Sequence, residues 1–580
     1  MKRKTILALS ALALCGTMSA QDIYKVETFS GSDLTGTSRF VGMGGAMSAL
    51  GADLSVMGQN PAGIGLYRRS DVALTGSITN QPNGIEFCNI KKTRPSFDQA
   101  GFVYSCKLGE PNWKFVNFGF NYQKRRNMKN SIGLDNVGLG GLSQSLQMMD
   151  LAYGSNGWLD LATDNGRNMT TPFACVGYDA QMIAPIRDAD GKITGYEPSE
   201  AQNYSYSRMQ WGGIQQYDFN VSFNLKDQIY GGMTLGVYNV DLHSGTFYTE
   251  NLIERAADGS VAATHPYYMT NDEAITGTGF DLKFGVIFRP LEDSPFRLGF
   301  SFSTPVFYDL TQSSYLYMNS PYAYTDANGN RFDHTEADAE IGDYNYRIHT
   351  PWKVNVSMGT TVGNFLALGA EYEVSRYTGA QVRYADDGWG YNSFSSSRDK
   401  ELDAEIDHFL KPVSTFRVGA EFKLAPGVTG RVGYNYVSAP MKKDAYLNLF
   451  TASPSYYYST NTDYVNLGDI NRVTAGLGYK GKHFYADLAY QYQRQSGDVY
   501  AFHIPQNGSE QNRLEGQKVE LNRNNVMLTV GYKFSAPPCP FHRANNTTME
   551  SNNTWKPHTA FTDKGYVRFP CVFYSQTEVV

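Results

Sequence analysis

The feature that most constrains this chain is a period of two. From Val526 to Phe534 the even positions are Val, Leu, Val, Tyr and Phe, while the odd ones are Met527, Thr529, Gly531 and Lys533. Phe296, Leu298, Phe300 and Phe302 alternate in the same way with Arg297, Gly299, Ser301 and Ser303. So do Phe416, Val418, Ala420, Phe422 and Leu424 with Arg417, Gly419, Glu421 and Lys423. Successive side chains of a strand point to opposite faces, so each such stretch carries one apolar and one polar face. Strands of soluble sandwiches average about five or six residues. These run about ten or more, the length a tilted strand needs to cross a bilayer.

Fourteen such segments are legible, near 70–79, 98–108, 114–126, 214–225, 229–249, 276–289, 295–309, 344–359, 364–384, 411–424, 427–437, 469–480, 483–498 and 519–534. The connections after the second, fourth, eighth, tenth and twelfth are tight, for example Lys226-Asp227, Ala425-Pro426 and Gly481-Lys482, and Pro290 to Ser294 is nearly so. Those after the odd-numbered segments are long and polar. Short turns alternating with long loops predict an all-β fold, a 14-stranded antiparallel transmembrane β-barrel with periplasmic turns and extracellular loops.

The first twenty residues fit that destination. Lys2, Arg3 and Lys4 precede an apolar stretch from Ile6 to Leu14 and the small-residue site Met18-Ser19-Ala20, which reads as a cleavable secretory signal over 1–20. Leu14 is a poor neighbour for a lipidated cysteine at Cys15. No other stretch is apolar enough to span a bilayer as a helix. Without the signal's three cations the formal charge moves from −6 to −9, which argues against nucleic acid. Cys88, Cys106, Cys175, Cys539 and Cys571 form no CxxC pair, and the nine histidines show no HExxH or paired ligand spacing, so no metal and no cofactor is expected. No GxSxG, P-loop or catalytic constellation is present, and His483 and His503 have no evident activating partner. The chain is therefore not read as an enzyme, and no catalytic residue is assigned. Its expected place is the outer membrane of a Gram-negative envelope.

Residues 21–69 do not alternate. They hold Phe29-Ser30-Gly31, the run Gly36 to Ala46 with Gly42-Met43-Gly44-Gly45, then Gly51-Ala52-Asp53-Leu54, and finally Asn60-Pro61-Ala62-Gly63 just before the first strand. A segment so short and glycine-rich must pack against something larger, and the barrel lumen is the available place. Pro61 fixes φ, Asn60 turns the chain through its side chain, and Ala62-Gly63 permit close backbone approach, so the tetrapeptide is either a compact corner against the wall or a plain turn.

A "GxGGAxxAxGAD" run followed by "NPAG" ahead of a fourteen-stranded barrel resembles the FadL/TodX family of outer-membrane transporters for long-chain fatty acids and other hydrophobic compounds. The resemblance implies a hatch that blocks the lumen, a greasy ligand pocket beside it, and passive sideways exit through the barrel wall without an energy-coupling partner. Asn60, Pro61 and Ala62, with Gly63, occupy the hatch motif, and Phe29, Phe40, Met43 and Leu54 are the candidate ligand contacts. It implies the domain order signal 1–20, hatch 21–69, barrel 70–534 and extension 535–580. Expected partners are a fatty acid-like hydrophobic ligand, outer-membrane lipid and the barrel assembly machinery, with the chain a monomer. Two alternatives share features: a protein-binding barrel of the type IX secretion shuttle kind, and a haemin-binding receptor, although TonB-dependent haem receptors have about twenty-two strands and a larger plug.

Three further readings concern detail. Leu139, Leu142, Leu146 and Met149 in the loop from 127 to 213 suit a short amphipathic helix, which either packs its own cap or offers an apolar landing surface. The lumen-facing charges Asp281, Lys283, Lys353, Glu371, Glu373, Arg417, Glu421, Lys423, Arg431 and Asp487 are of mixed sign and are expected to pair and hold the barrel and plug. After Phe534, 46 residues follow; they read first as a disordered periplasmic tail, with a Cys539–Cys571 hairpin or aberrant sequence as alternatives.

Overall fold

A computed structural model describes residues 22–86, 91–154, 156–325, 329–385, 396–449, 454–506 and 509–535. The signal sequence, Cys88, and the extension with Cys539 and Cys571 lie outside the described residues. Alternation becomes fourteen barrel strands: β1 (Arg69–Asn80), β2 (Thr93–Lys107), β3 (Trp113–Asn127, continued as Asn130–Gly138), β4 (Ala201–Leu225), β5 (Ile229–Arg255), β6 (Val261–Phe288), β7 (Arg297–Ser303 and Phe307–Ser320), β8 (Thr335–His349 and Lys353–Val362), β9 (Leu366–Arg376 and Gln381–Ala385), β10 (Pro412–Ala425), β11 (Val428–Val437), β12 (Tyr464–Lys480), β13 (Phe484–Tyr500) and β14 (Arg523–Ser535). Neighbours pair antiparallel, and β1 pairs with β14 from Arg69↔Ser535 to Asn80↔Asn524, which closes the sheet.

The two faces sort as the period of two demands. Phe280, Leu282, Phe284, Val286 and Phe288 of β6 are exposed outward, whereas Asp281 and Lys283 between them are buried inside. On β14, Val526, Leu528 and Val530 face out and Met527 and Thr529 face in. The outer belt therefore presents apolar side chains to lipid, and the closed ladder pairs most of the wall's backbone groups strand to strand.

Several strands run well past the segments read from sequence. β4, β5 and β6 have 25, 27 and 28 residues, where about ten suffice to cross the bilayer. The connection between β5 and β6, expected to be a long loop, is only the stretch 256–260. Beyond the apolar belt neither strand face meets lipid, so the alternation fades although the hydrogen-bond ladder continues. Conversely β7 and β8, read as unbroken, are interrupted at 304–306 and 350–352, where Pro305 and Pro351 cannot donate to the ladder.

Loops between the strands cover one mouth. Helix α1 (Ile23–Ser30) precedes α2 (Ser38–Gly42) in the N-terminal segment, and the covering loops carry α3 (Gln144–Leu151), α4 (Asp164–Arg167), α5 (Pro172–Asp179) and α6 (Lys400–Phe409). Ile23, Val26 and Phe29 of α1 join Met148, Leu151, Phe173, Val176, Ile406 and Phe502 in one buried apolar cluster. The expected amphipathic helix thus starts later than its spacing suggested. Gly140 and Gly141, at φ of 61° and 93°, turn the chain before it, leaving Leu139 and Leu142 outside. Ser143 caps α3 at Ser145 N–H, and Met148 and Leu151 form its buried stripe, while Leu146 and Met149 pack at the cluster's edge. The whole stripe packs into or against that apolar cluster.

Candidate functional site: an inner segment, a cavity and a parted wall

Residues 22–67 lie inside the barrel. The Ser38 N–H donates to Thr529 Oγ1 of β14 at 2.7 Å, Thr474 of β12 donates to the Gly42 carbonyl at 3.1 Å, Ser301 of β7 to the Gln59 carbonyl at 2.7 Å, and Asn117 of β3 to the Ile64 carbonyl at 2.7 Å. Only a segment within the lumen reaches inward side chains all round the wall. Glycines make room for it: a Cβ at Gly433 would run into the Met43-Gly44 backbone, one at Gly369 into the Ala46 carbonyl, and one at Gly285 into Asn60. Asn60 caps a short 3-10 helix, Pro61–Leu66, by accepting from the Ala62 N–H at 3.1 Å, with Pro61 at its first position. Asn60 to Gly63 are fully buried against β4, β5, β6 and β7. The motif is thus a fixed foot of the segment.

The mixed charges pair as expected, and the segment joins them. Lys283 bridges Asp281 and Asp218, Arg417 bridges Glu371 and Glu373, and Arg431 bridges Glu421 and Asp487, while Arg39 of the segment completes the set on Glu421. Lys353 differs, donating to the Ser30 carbonyl at 3.3 Å, and Lys423 is exposed near a short turn. Buried ions this close hold one another only because each finds a partner.

Above the foot lies a cavity of about 290 Å³. Phe29 and Phe40 line it, whereas Met43 and Leu54 belong to the apolar cluster below, with Val41 and Met57. The cavity is not the greasy pocket the resemblance implied. Nine Lys or Arg side chains and seven carboxylates border it, interleaved with Phe29, Leu34, Leu242, Ile275 and Tyr377. Its chemistry is amphipathic.

The wall parts at one place beside this cavity. β2 and β3 are in register from Lys107↔Phe115 to Gln99↔Gln123. Beyond that point β2 residues 93–98 stay with β1, and β3 residues 124–127 stay with β4. Only side chains span the gap: Lys124 Nζ to Ser96 Oγ at 2.8 Å, Lys129 Nζ to the Pro95 carbonyl at 3.3 Å, and the rings of Phe97 and Tyr122 at 5.5 Å. The N-terminal segment fills the open edge. The Asp33 N–H donates to the Arg125 carbonyl at 2.9 Å, Asp33 Oδ2 accepts from the Asn127 N–H at 2.8 Å, and Thr35 Oγ1 donates to the Lys124 carbonyl at 2.6 Å. Gln123 Nε2 donates to the Thr35 carbonyl at 2.9 Å.

Two bulges make the parting. β1 and β2 lose register between Thr75 and Gly76, so Asp98 and Gln99 are neighbours in sequence yet both buried. β3 and β4 lose it between Lys124 and Arg126, and both Arg125 and Arg126 turn inward. These residues were not singled out from sequence. The signal that marks them is the slip itself, two adjacent inward polar residues where alternation demands one.

A closed fourteen-stranded barrel with an apolar outer belt, an inner segment and a covered cavity defines the class of this protein. Neither a protein-family model nor a curated protein matches the chain. Among solved structures it is similar to a Pseudomonas aeruginosa FadL homologue, at 12% identity over 88% of this chain and 100% of that one, with a TM-score of 0.46. It is also similar to the Ralstonia pickettii toluene transporter TbuX, at 14% identity over 87% and 99% with a TM-score of 0.41, and to the P. putida toluene transporter TodX, at 11% over 87% and 99% with a TM-score of 0.40.

Proposed function

We propose that this protein is an outer-membrane channel for hydrophobic and amphipathic molecules. It holds them in the cavity beside the N-terminal segment and releases them sideways between β2 and β3. Residues 21–69 act as the hatch, with Asn60 to Gly63 as its anchored foot and Asp33 to Thr35 as its movable edge. The observation that carries this reading is the loss of the β2–β3 ladder beside the cavity, where hydrogen bonds from the segment replace it. An opening at the height of the apolar belt lets an apolar tail pass from protein to lipid without crossing water, and diffusion down a gradient suffices. Export by the signal sequence and insertion as a monomer by the barrel assembly machinery complete the proposal.

Gram-negative host cells that lack their own channels for such compounds provide the test. Cells making the protein should take up radiolabelled dodecanol several-fold faster than cells without it. Equal rates would overturn the proposal.

A further inference from the structure

The loops that cover the mouth are fastened to the wall at a buried carboxylate. Glu250 of β5 is only 1% exposed. Beyond Val237 the outward positions of β5 turn polar, beginning with Asn239 and Asp241, so Glu250 stands above the membrane. Its Oε2 accepts from the Ser143 hydroxyl at 2.7 Å, and its Oε1 accepts from the Gln144 N–H and from the Tyr248 hydroxyl, both at 2.6 Å. Ser143 and Gln144 begin α3, which carries Met148 and Leu151 of the apolar cluster inside the cover. The Gln144 side chain adds a second tie, accepting from the Tyr267 hydroxyl of β6 and donating to Thr462, both at 3.2 Å. Just ahead of α3, Gly140 and Gly141 take φ of 61° and 93° with open space beside both, a turn on which the loop can pivot.

No cation balances this carboxylate. Among the described residues no Lys, Arg or His forms an ion pair with Glu250. The titratable side chains around it are phenols that burial keeps neutral: Tyr248 of β5, Tyr267 of β6, Tyr322 after β7, and Tyr204 of β4, which stacks on Tyr248 at 5.6 Å. His503 follows Phe502, whose ring packs edge-on against Tyr248, and burial pushes its pKa down to about 4, so it brings no charge. Burial likewise pushes the Glu250 carboxyl up to about 7, and the three donors offset only part of that cost.

We infer that Glu250 is a pH-sensitive latch for the cover, which fastens α3 to β5 when protonated and favours release of α3 when ionised. The neutral carboxyl keeps all three contacts: a proton on Oε2 turns the bond to Ser143 around, while Oε1 goes on accepting from Gln144 and Tyr248. The ionised group meets the same donors but holds a full charge in an apolar setting, and release of α3 brings that charge to water. The closed cover therefore holds the proton more tightly than the open one, in which the carboxyl returns to its ordinary value of about 4.3. Closure is favoured at low pH and loses its advantage as pH rises through about 7. The latch does not depend on what the channel carries; only its effect on uptake rests on the transport reading.

The test uses the full chain purified in a neutral detergent, with Cys175 as the reporter and the other cysteines of the mature chain replaced by serine. Cys175 lies on α5 and is 4% exposed, and the next turn of α5 packs on α3 where Gly177 meets Met148. A methanethiosulfonate reagent reaches it when the cover opens. The labelling rate, divided at each pH by the rate of Glu250→Gln in the same background, should rise on the order of fiftyfold between pH 5 and pH 8. The division cancels the titration of the thiol and of Asp150 at the far end of α3, whose carboxyl burial pushes up to about 6. Glu250→Gln keeps the contacts of the neutral carboxyl and should label slowly throughout. Glu250→Ala has no acceptor left and should label at least tenfold faster than Glu250→Gln already at pH 5, in keeping with two or more lost hydrogen bonds. Heat-shifted migration on gels confirms that each variant is a folded barrel. A ratio that stays flat from pH 5 to pH 8, or a Glu250→Ala chain as slow as Glu250→Gln, would overturn the inference. Failure of the transport reading appears separately, as absent dodecanol uptake by cells at either pH while the labelling still follows the latch.

Discussion

Joining Thr35 to Gln123 through paired cysteines should reduce uptake to the rate of cells without the protein. The two side chains already touch, with Gln123 Nε2 at 3.3 Å from Thr35 Oγ1; glutamine reaches farther than cysteine, so a short reducible dithiol cross-linker joins the pair in place of a direct disulfide. Thr35 holds the β3 edge through the Lys124 carbonyl, and Gln123 is the last β3 residue in register with β2. A covalent tie there fixes the hatch edge across the parting. The native cysteines are replaced by serine in this background, uptake of labelled dodecanol is followed, and a reductant should restore the rate. Uptake unaffected by the bridge would remove residues 33–35 from the path.

Lys283→Met should cost about 3–5 kcal/mol of barrel stability, the usual penalty for stripping one partner from a buried ionic group. Lys283 Nζ lies 2.6 Å from Asp281 and 3.2 Å from Asp218 and donates to the Tyr238 hydroxyl at 3.0 Å, and no side chain of the three ions is more than 3% exposed. Methionine fills the volume but leaves two carboxylates facing each other inside the wall. Urea unfolding followed by gel migration measures the loss. Adding Asp218→Asn and Asp281→Asn to the same chain should recover most of it. A triple variant no more stable than Lys283→Met would show that the ions are not what the residue holds together.

The wall of this barrel was legible in the sequence wherever lipid imposes its own period. Leu298, Phe300 and Phe302 on β7, or Val526, Leu528 and Val530 on β14, face hydrocarbon, and nothing polar can substitute there. The same rule fell silent above the belt, so β4, β5 and β6 ran far past their expected ends and the expected β5–β6 loop shrank to 256–260. The Asn60-Pro61-Ala62-Gly63 corner was visible as a turn because its conformation is local. Its packing as a foot was not, since it depends on Gly232, Gly285 and Gly299 on three successive strands. The cavity was least legible. Asp33 lies hundreds of residues from Arg472 and Arg523, which border the same cavity, and the three meet only after closure of β14 on β1. The parting of β2 and β3 left a faint trace in Asp98-Gln99, a pair that reads as an ordinary irregularity until both side chains are seen pointing inward.

The most direct measurement is transport with β2 stapled to β3 while the N-terminal segment is left free. Phe97 and Tyr122 stack across the parting with ring centroids 5.5 Å apart, and cysteines at these two positions can be joined by a short reversible cross-linker. Exit between these strands requires that labelled dodecanol uptake fall to the background rate when the staple is closed and return when it is reduced. Uptake that continues at the full rate through a stapled wall would contradict the account.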